Sequence, residues 1–226
     1  MTPRLALFAA AALAVASSAA AQDGPGFDFN LGVASDYVFR GVSQTDENPQ
    51  VFGGADLSVG RFYAGAWGSN VDFNDTTDAE FDLYAGFTPT VGVVSLDLGL
   101  LYYGYVDQPS GADLDYLELK AAGSVPLGPA TLGAQAYYSP NYYAGVDHAF
   151  YYEVNGAFSP TEKLSFSAAL GRQQVSGAGD YTTWNVGVGY ALTDHLGLDL
   201  RYHDTDKHSL GDTYGSRAVV SLKAAF

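Results

Sequence analysis

The last ten residues, Arg217-Ala-Val-Val-Ser-Leu-Lys-Ala-Ala-Phe226, carry the pattern that decides the fold. Alternate positions are apolar throughout, and they are Ala218, Val220, Leu222, Ala224 and Phe226. The positions between them carry the polar side chains Arg217, Ser221 and Lys223. Because successive side chains of a β-strand point to opposite faces, this segment is predicted to be a strand with one apolar face and one polar face.

The same alternation recurs in about twelve segments of roughly ten residues each. The predicted strands are 27–40, 50–59, 62–70, 79–88, 92–105, 115–124, 130–139, 149–158, 164–173, 181–190, 196–203 and 216–226. The connections between them alternate between short turns and longer, acid-rich loops. This rhythm is typical of outer-membrane barrels, which have short periplasmic turns and longer outer loops.

The predicted strand length suits a membrane. About ten residues tilted by about 40° cover about 25 Å, the height of the apolar band of such barrels, and within lipid the sheet must close so that every backbone group is paired. We therefore predict an all-β fold, a closed antiparallel up-and-down transmembrane β-barrel of about 12 strands. A secreted β-sandwich or a soluble lipocalin-like barrel is the alternative. Six tyrosines near strand ends are predicted to face lipid as interfacial anchors, namely Tyr37, Tyr102, Tyr138, Tyr152, Tyr190 and Tyr202.

The composition agrees with this class of fold. The chain has 27 glycines, 17 tyrosines, 13 phenylalanines and no cysteine, which excludes disulfides and thiolate-bound metals. Its formal net charge of −15 disfavours nucleic acid as a partner, because phosphate would be repelled. The sequence indicates no cofactor.

The first residues have the pattern of a secretory signal peptide. Arg4 precedes an apolar run over residues 5–15, and Ala19-Ala20-Ala21 forms a cleavage signature. A retained membrane anchor is the alternative, but the charge-free run 5–21 is shorter than the roughly 20 residues that a spanning helix needs. The predicted organisation is a signal peptide over 1–21 and an outer-membrane β-barrel over 22–226.

Three segments carry a family resemblance. They are Ser35-Asp-Tyr-Val-Phe-Arg-Gly-Val-Ser-Gln-Thr45, Phe62-Tyr-Ala-Gly-Ala-Trp-Gly-Ser-Asn-Val-Asp-Phe73 and Glu80-Phe-Asp-Leu-Tyr-Ala-Gly-Phe87. They resemble the TorF-type porin family, hypothetical bacterial proteins with a Gly-Cys-Trp label, for which this chain has Gly65-Ala66-Trp67. The resemblance implies an outer-membrane barrel of a Gram-negative bacterium and no particular substrate. The motif residues singled out are Asp36, Arg40, Gly41, Trp67 and Asn70.

Ten charged side chains are expected to face the lumen, because they share the polar parity of their strands. They are Asp56, Glu80, Asp82, Asp97, Glu118, Lys120, Glu153, Asp199, Arg201 and Lys223. Acidic groups predominate among them, which predicts a porin-like channel for passive diffusion of small polar solutes or ions, weakly preferring cations. The alternative is that these charges pair across the lumen and fill it.

Arg40 is the most singular residue of the family motif. It could contact an anionic substrate or a lipopolysaccharide phosphate, or it could be tied to loop carboxylates such as Asp36 or Asp46. We favour the second interpretation, since such charges are rarely left unpaired. Trp67 and Asn70 admit the same two readings.

The expected partners follow from the predicted location. They are outer-membrane lipid, lipopolysaccharide and the barrel-assembly machinery, for which Phe226 resembles the C-terminal recognition signal. Two other functions are carried as alternatives: a non-conducting structural or adhesive barrel acting through its long outer loops, and a lipid-modifying enzyme. The chain has only four histidines and no Gly-x-Ser-x-Gly elbow, and both facts disfavour the enzyme. No catalytic or metal-binding residue is assigned.

Overall fold

Alternation of apolar and polar residues produces fifteen strands in the computed structural model, which describes residues 25–177 and 179–226. The strands are β1 (Gly26–Ala34), β2 (Val38–Phe39), β3 (Val42–Ser43), β4 (Gln50–Val59), β5 (Phe62–Asn70), β6 (Ala79–Phe87), β7 (Thr90–Val91), β8 (Val94–Val106), β9 (Tyr116–Leu127), β10 (Ala130–Ser139), β11 (Ala149–Phe158), β12 (Leu164–Val175), β13 (Tyr181–Ala191), β14 (Leu196–Thr205) and β15 (Arg217–Ala225). The predicted signal peptide over 1–21 lies outside the described residues.

Twelve of these strands form a closed antiparallel barrel. Each long strand pairs with the next one along the chain, from β4 to β15, and β1 pairs with both β4 and β15. β7 is a two-residue extension on β8, and β2 pairs only with β3. The predicted fold class is therefore confirmed, and closure removes the unpaired edges that an open sheet would expose.

The apolar faces of the strands point away from the barrel axis. On β1, Phe27 is 67% exposed and Leu31 is 61% exposed, whereas Gly32, next to Leu31, is buried. On β14, Leu200 is 51% exposed and the adjacent Arg201 only 6%. An exterior of large apolar side chains around a polar interior is the arrangement of a transmembrane barrel and the reverse of a soluble one.

The connections separate by length between the two ends of the barrel. Turns such as Gly60–Arg61 and Gly128–Pro129 lie at the end where β1 begins and β15 ends. The long connections 35–49, 71–78, 107–115, 140–148, 176–180 and 206–216 lie at the other end, here called the long-loop end. Within the described residues, no helix is long and apolar enough to cross a membrane.

Two expectations about the first strand are wrong. β1 ends at Ala34 rather than at residue 40, and residues 38–43 form a separate hairpin. Tyr37 consequently lies inside the protein with 4% of its surface exposed, instead of facing lipid. The other five predicted anchor tyrosines have their rings on the outward parity, and Tyr152 is typical at 44% exposed.

Orientation of the two faces can be tested with one substitution at neighbouring positions. Ala168 faces outward near the middle of β12, and Ala169 faces the lumen between Asn155 and Asn185 of the adjacent strands. Arginine on the lipid face near the midplane costs about 2–4 kcal/mol. We expect Ala168→Arg to lower the free energy of unfolding by that amount, and Ala169→Arg to lower it far less.

The measurement is denaturant unfolding in lipid vesicles followed by tryptophan fluorescence. Equal losses for the two variants would contradict the assigned orientation of β12.

Candidate functional site

The first long connection, residues 35–49, folds into the barrel and is here called the plug. Its two short strands, β2 and β3, are joined at Arg40 and Gly41, whose φ angles are 48° and 85°. Positive φ at both central residues is the requirement of a tight type I′ hairpin turn, and glycine meets it at no steric cost. This turn places the Arg40 side chain at the tip of the plug.

The Arg40 side chain reaches the wall opposite the strands that carry the plug. Its guanidinium donates hydrogen bonds of 2.8 and 2.7 Å to the two carboxylate oxygens of Glu118 on β9. A third bond of 3.1 Å goes to the amide oxygen of Gln173 on β12. The Arg40 guanidinium carbon also lies 4.8 Å from the ring centre of Tyr137 on β10 and 4.4 Å from that of Tyr151 on β11. The plug therefore crosses the lumen.

These wall residues share one level of the barrel. Glu118, Tyr137, Tyr151 and Gln173 each lie two residues inside the long-loop end of their strand, or about 7 Å from it. Each has at most 7% of its surface exposed. The plug tip is therefore held within the lumen and not above its rim.

The base of the plug is fixed by a second buried ion pair. Asp36 accepts hydrogen bonds from Ser43 (2.7 Å) and Thr45 (2.8 Å), and its other carboxylate oxygen lies 3.1 Å from the Arg217 guanidinium of β15. The Tyr37 hydroxyl donates a 2.7 Å bond to Glu80 on β6. The tip of the hairpin is thus held by Glu118 on β9 and its base by Arg217 on β15, on the opposite side of the barrel.

All five motif residues belong to this docked loop or to its supports. Arg40 and Asp36 form the two ion pairs, and a Cβ atom at Gly41 would collide with Thr183 on β13. The Trp67 ring packs 5.4 Å from that of Tyr37, and Asn70 binds the backbone of Pro49 and Val51 where the plug rejoins β4.

The expected partner of Arg40 is wrong, although the expectation that Arg40 is paired is right. Asp36 pairs with Arg217, and Arg40 pairs with Glu118, a wall carboxylate 78 residues away in sequence. The separation explains the error, because the register of a closed barrel decides which distant wall residue a loop can reach. Parity alone predicts that Glu118 faces the lumen but not which residue it meets there.

Aromatic rings fill the space around the plug at the long-loop end. Tyr103 and Tyr116 stack at 4.4 Å, and Tyr142 of the connection 140–148 meets Tyr116 edge-on at 4.9 Å. Burial raises the pKa of Tyr142 above its usual range and raises the pKa of Tyr143 to about 12, with the nearby carboxylate of Asp75 adding to the second shift. These phenols therefore stay neutral at physiological pH, and the packed cluster narrows the lumen.

All ten charged residues predicted to line the pore lie on the lumen parity of their strands. Three of the acids are paired with bases: Glu118 with Arg40, Asp97 with Lys120, and Asp199 with Arg201. The Arg201 guanidinium also binds Asn185 at 2.6 Å. These pairs cancel three positive and three negative charges within the lumen.

Within the described ranges, the other lumen carboxyl groups have no basic partner, and some of them accept hydrogen bonds from tyrosine hydroxyls. Asp56 accepts a 2.7 Å bond from Tyr84, and Glu153 accepts a 2.6 Å bond from Tyr151. One carboxylate oxygen of Asp82 is buried with no hydrogen-bond partner among the described residues. Lys223 has no carboxylate within 4 Å in the described part of the chain.

Below the plug, large lumen side chains lie flat on the wall over glycines. A Cβ atom at Gly65 would overlap the ring of Tyr84, and one at Gly86 would overlap the ring of Tyr63. Because glycine leaves this space free, the rings lie along the wall instead of projecting across the lumen. The lumen toward the short-turn end is therefore lined by small residues and by aromatic rings whose faces point into the lumen.

An open cavity of about 650 Å³ lies at the long-loop end, between the plug and the connection 206–216. Asp46 and Glu47 of the plug line it together with Asp212 and His208. Glu47 is paired with Arg217, and the other two carboxylates attract cations and repel anions at this entrance. Within the described residues, no group of three or more His, Cys, Asp or Glu side chains is arranged to hold a metal ion.

Sequence reasoning missed four wall residues that surround the Arg40–Glu118 pair, namely Tyr103, Tyr137, Tyr151 and Gln173. All four share lumen parity with charged residues of their strands or neighbours, which is a signal present in the sequence. Nothing local shows that they meet, because they come from four different strands.

A closed barrel with an apolar exterior, a polar interior and a loop folded into the lumen defines the chain as a transmembrane barrel of the porin fold. A family model described as bacterial protein of unknown function, Gcw_chp, matches residues 18–226, and the chain belongs to that family. No curated protein matches the sequence.

Solved porin structures share the fold at low sequence identity. The chain is similar to the KdgM porin, with a TM-score of 0.61 and 9% identity over 88% of this chain and 98% of that one. A KdgM porin in complex with disordered oligogalacturonate gives a TM-score of 0.62 with the same identity and coverage. The NanC porin gives 0.55, with 9% identity over 88% and 98% of the two chains. Identity this low establishes the fold alone.

Proposed function

We propose that this protein is an outer-membrane channel for passive diffusion of small polar solutes or ions, with the plug as its constriction. The observation that carries the proposal is the polar, partly glycine-lined lumen enclosed by an apolar exterior. Large side chains that lie flat over glycines leave the centre of the lumen open. A channel needs this open space, whereas a structural barrel would gain nothing from it.

The proposed channel prefers cations weakly. After the three ion pairs are formed, the lumen carboxylates of Asp56 and Glu153 face one unpaired ammonium, that of Lys223. Glu80 and one oxygen of Asp82 are buried without a basic partner among the residues that the structure describes, which favours their neutral forms, so these two groups are not counted as charges. The carboxylates of Asp46 and Asp212 add negative charge at the mouth, whereas that of Glu47 lies 3.6 Å from the Arg217 guanidinium. Charged groups along a pore set its ion preference, and here the balance is acidic.

Reversal potentials across a planar bilayer under a salt gradient test this proposal. We expect the wild-type protein to favour potassium over chloride, Asp56→Asn to lower that ratio and Lys223→Gln to raise it, because each removes one unpaired lumen charge. Asp56 and Lys223 both lie below the plug, so they form a matched pair of opposite sign.

Anion preference in the wild-type protein would contradict the proposed selectivity. The channel function itself fails if neither the wild-type protein nor a variant lacking the plug conducts, and a structural or adhesive barrel would then be favoured.

The location and assembly of the protein are part of the same proposal. We propose export by a cleaved signal peptide over 1–21, insertion among outer-membrane lipid and lipopolysaccharide, and recognition of Phe226 by the barrel-assembly machinery. In the folded barrel the Phe226 ring stacks 5.0 Å from Phe29 and 5.5 Å from His195, which fixes the closing seam. We also propose that the family is the TorF-type porin family. In this proposal the protein catalyses no reaction.

A further inference from the structure

The side chains around Arg40 form a site that is built entirely by the barrel wall. Glu118 supplies two carboxylate oxygens, and Tyr137 and Tyr151 supply ring faces at 4.8 and 4.4 Å from the guanidinium carbon. Gln173 supplies an amide oxygen. We call this set of four residues the cage.

The cage is held in place without help from the plug. The Tyr103 hydroxyl donates a 3.1 Å bond to Glu118, and Tyr151 is fixed by its bond to Glu153. Tyr137 in turn bonds Gln135 at 3.2 Å. Since all of these residues lie on barrel strands, the cage keeps its shape when Arg40 is absent.

A second feature of the cage has no use in the plugged state. Gln173 is only 1% exposed, and its amide nitrogen has no hydrogen-bond partner among the described residues, although its amide oxygen accepts from Arg40. A buried donor without a hydrogen-bond partner is destabilising, so such groups usually bind a ligand or a water. The cage therefore offers a guanidinium pocket together with a spare donor beside it.

We propose that the cage is a binding site for guanidinium-bearing solutes and that Arg40 occupies it as an internal ligand. A planar guanidinium matches both the two-oxygen face of Glu118 and the faces of the two tyrosine rings, whereas an ammonium ion can contact the rings but lacks the planar pair of donors that the carboxylate accepts. The spare donor of Gln173 suits an acceptor on the same solute, such as a hydroxyl or carboxylate. This proposal rests on the channel function and adds a solute class to it.

The consequence is competition between solute and plug. A guanidinium-bearing solute that enters from the long-loop end can hold the cage only while Arg40 is withdrawn. Such a solute therefore stabilises the undocked state of the plug that lets it pass.

The test removes the internal ligand and supplies a free one. Arg40→Ala channels in planar bilayers are exposed to guanidinium chloride, to tetramethylammonium chloride as a cation without planar donors, and to urea as a planar molecule without charge. We expect guanidinium to block Arg40→Ala at a concentration about tenfold lower than tetramethylammonium, and urea not to block. Adding Glu118→Gln should abolish the difference between the two cations.

A binding measurement separates this proposal from the channel function. Calorimetric titration of guanidinium chloride into detergent-folded Arg40→Ala protein reports occupancy of the cage even if no variant conducts. A variant with the plug replaced by a short turn exposes the same cage and serves if Arg40→Ala does not fold. The proposal is overturned if guanidinium binds and blocks both variants no better than tetramethylammonium, or equally well with Glu118→Gln.

Discussion

Single-channel conductance is expected to rise several-fold when residues 36–48 are replaced by a short Gly-Ser turn. The plug crosses the lumen at the level of Glu118 and Tyr137, so its removal widens the narrowest part of the path. Ala34 and Gln50 are direct cross-strand partners in the β1–β4 ladder, and hairpin connections of two to five residues join such partners readily. The shortened protein therefore keeps its barrel register.

The barrel itself should survive this change, because its twelve-strand ladder contains no residue of the plug. Heat-modifiable gel mobility of the shortened protein checks that the barrel closes. Deletion of residues 110–112, an exposed stretch of another long connection, is the matched control and should leave the conductance unchanged. If the plug-free barrel folds and conducts no better than the wild-type protein, the constriction lies elsewhere.

The strands and their orientation were predictable because they are encoded locally. A period of two residues specifies both the strand and the face on which each side chain lies, so the lumen parity of Asp97 or Arg201 needs no knowledge of the partner strand. The alternation of short and long connections likewise showed which ends lie together. The parity of the side chains and the grouping of the connections would be the same in any closed barrel that this sequence could form.

The plug was not predictable because local sequence continues the strand pattern through it. Residues 38–43 contain the strand-favouring residues Val38, Phe39 and Val42, and only the Arg40-Gly41 pair indicates a tight turn. What turns the hairpin inward is a set of contacts with Glu118 and Gln173, 78 and 133 residues away from Arg40. Their meeting depends on the register around the whole barrel, which one-dimensional periodicity does not contain.

The same limit explains the ion pairs of the lumen. Parity placed Lys120 and Asp97 on the inner face, but it did not show that they lie together on adjacent strands. Which charged side chains face the lumen can therefore be predicted from the sequence, whereas their pairing with one another is a property of the folded barrel. Selectivity depends on what remains after cancellation.

Glu118→Gln is expected to undock the tip of the plug while leaving the barrel intact. The two side chains of the Arg40–Glu118 pair are 4% and 1% exposed, and removing one partner of such a pair leaves a buried charge without compensation. The cost is about 3–5 kcal/mol, or roughly a hundredfold or more in the ratio of docked to undocked plug. The base remains tied through Asp36 and Arg217, so the plug should open and close repeatedly.

Two measurements report this undocking. Hydrogen exchange at the amides of β2 and β3 should accelerate with little change in the barrel ladder, and single-channel records should show frequent opening. Asp97→Asn is the matched control, because it breaks a lumen ion pair, that with Lys120, which does not touch the plug. It should leave exchange in the hairpin as in the wild-type protein.

A double-mutant cycle then isolates the pair itself. In Arg40→Met with Glu118→Gln both charges are gone, so the loss of docking should be smaller than the sum of the two single losses, with a coupling energy of about 0.5–3 kcal/mol. Additive losses would mean that Arg40 and Glu118 act independently. The plug would then be held by its aromatic packing and by the Asp36–Arg217 base, and a guanidinium at the tip would be dispensable for closure.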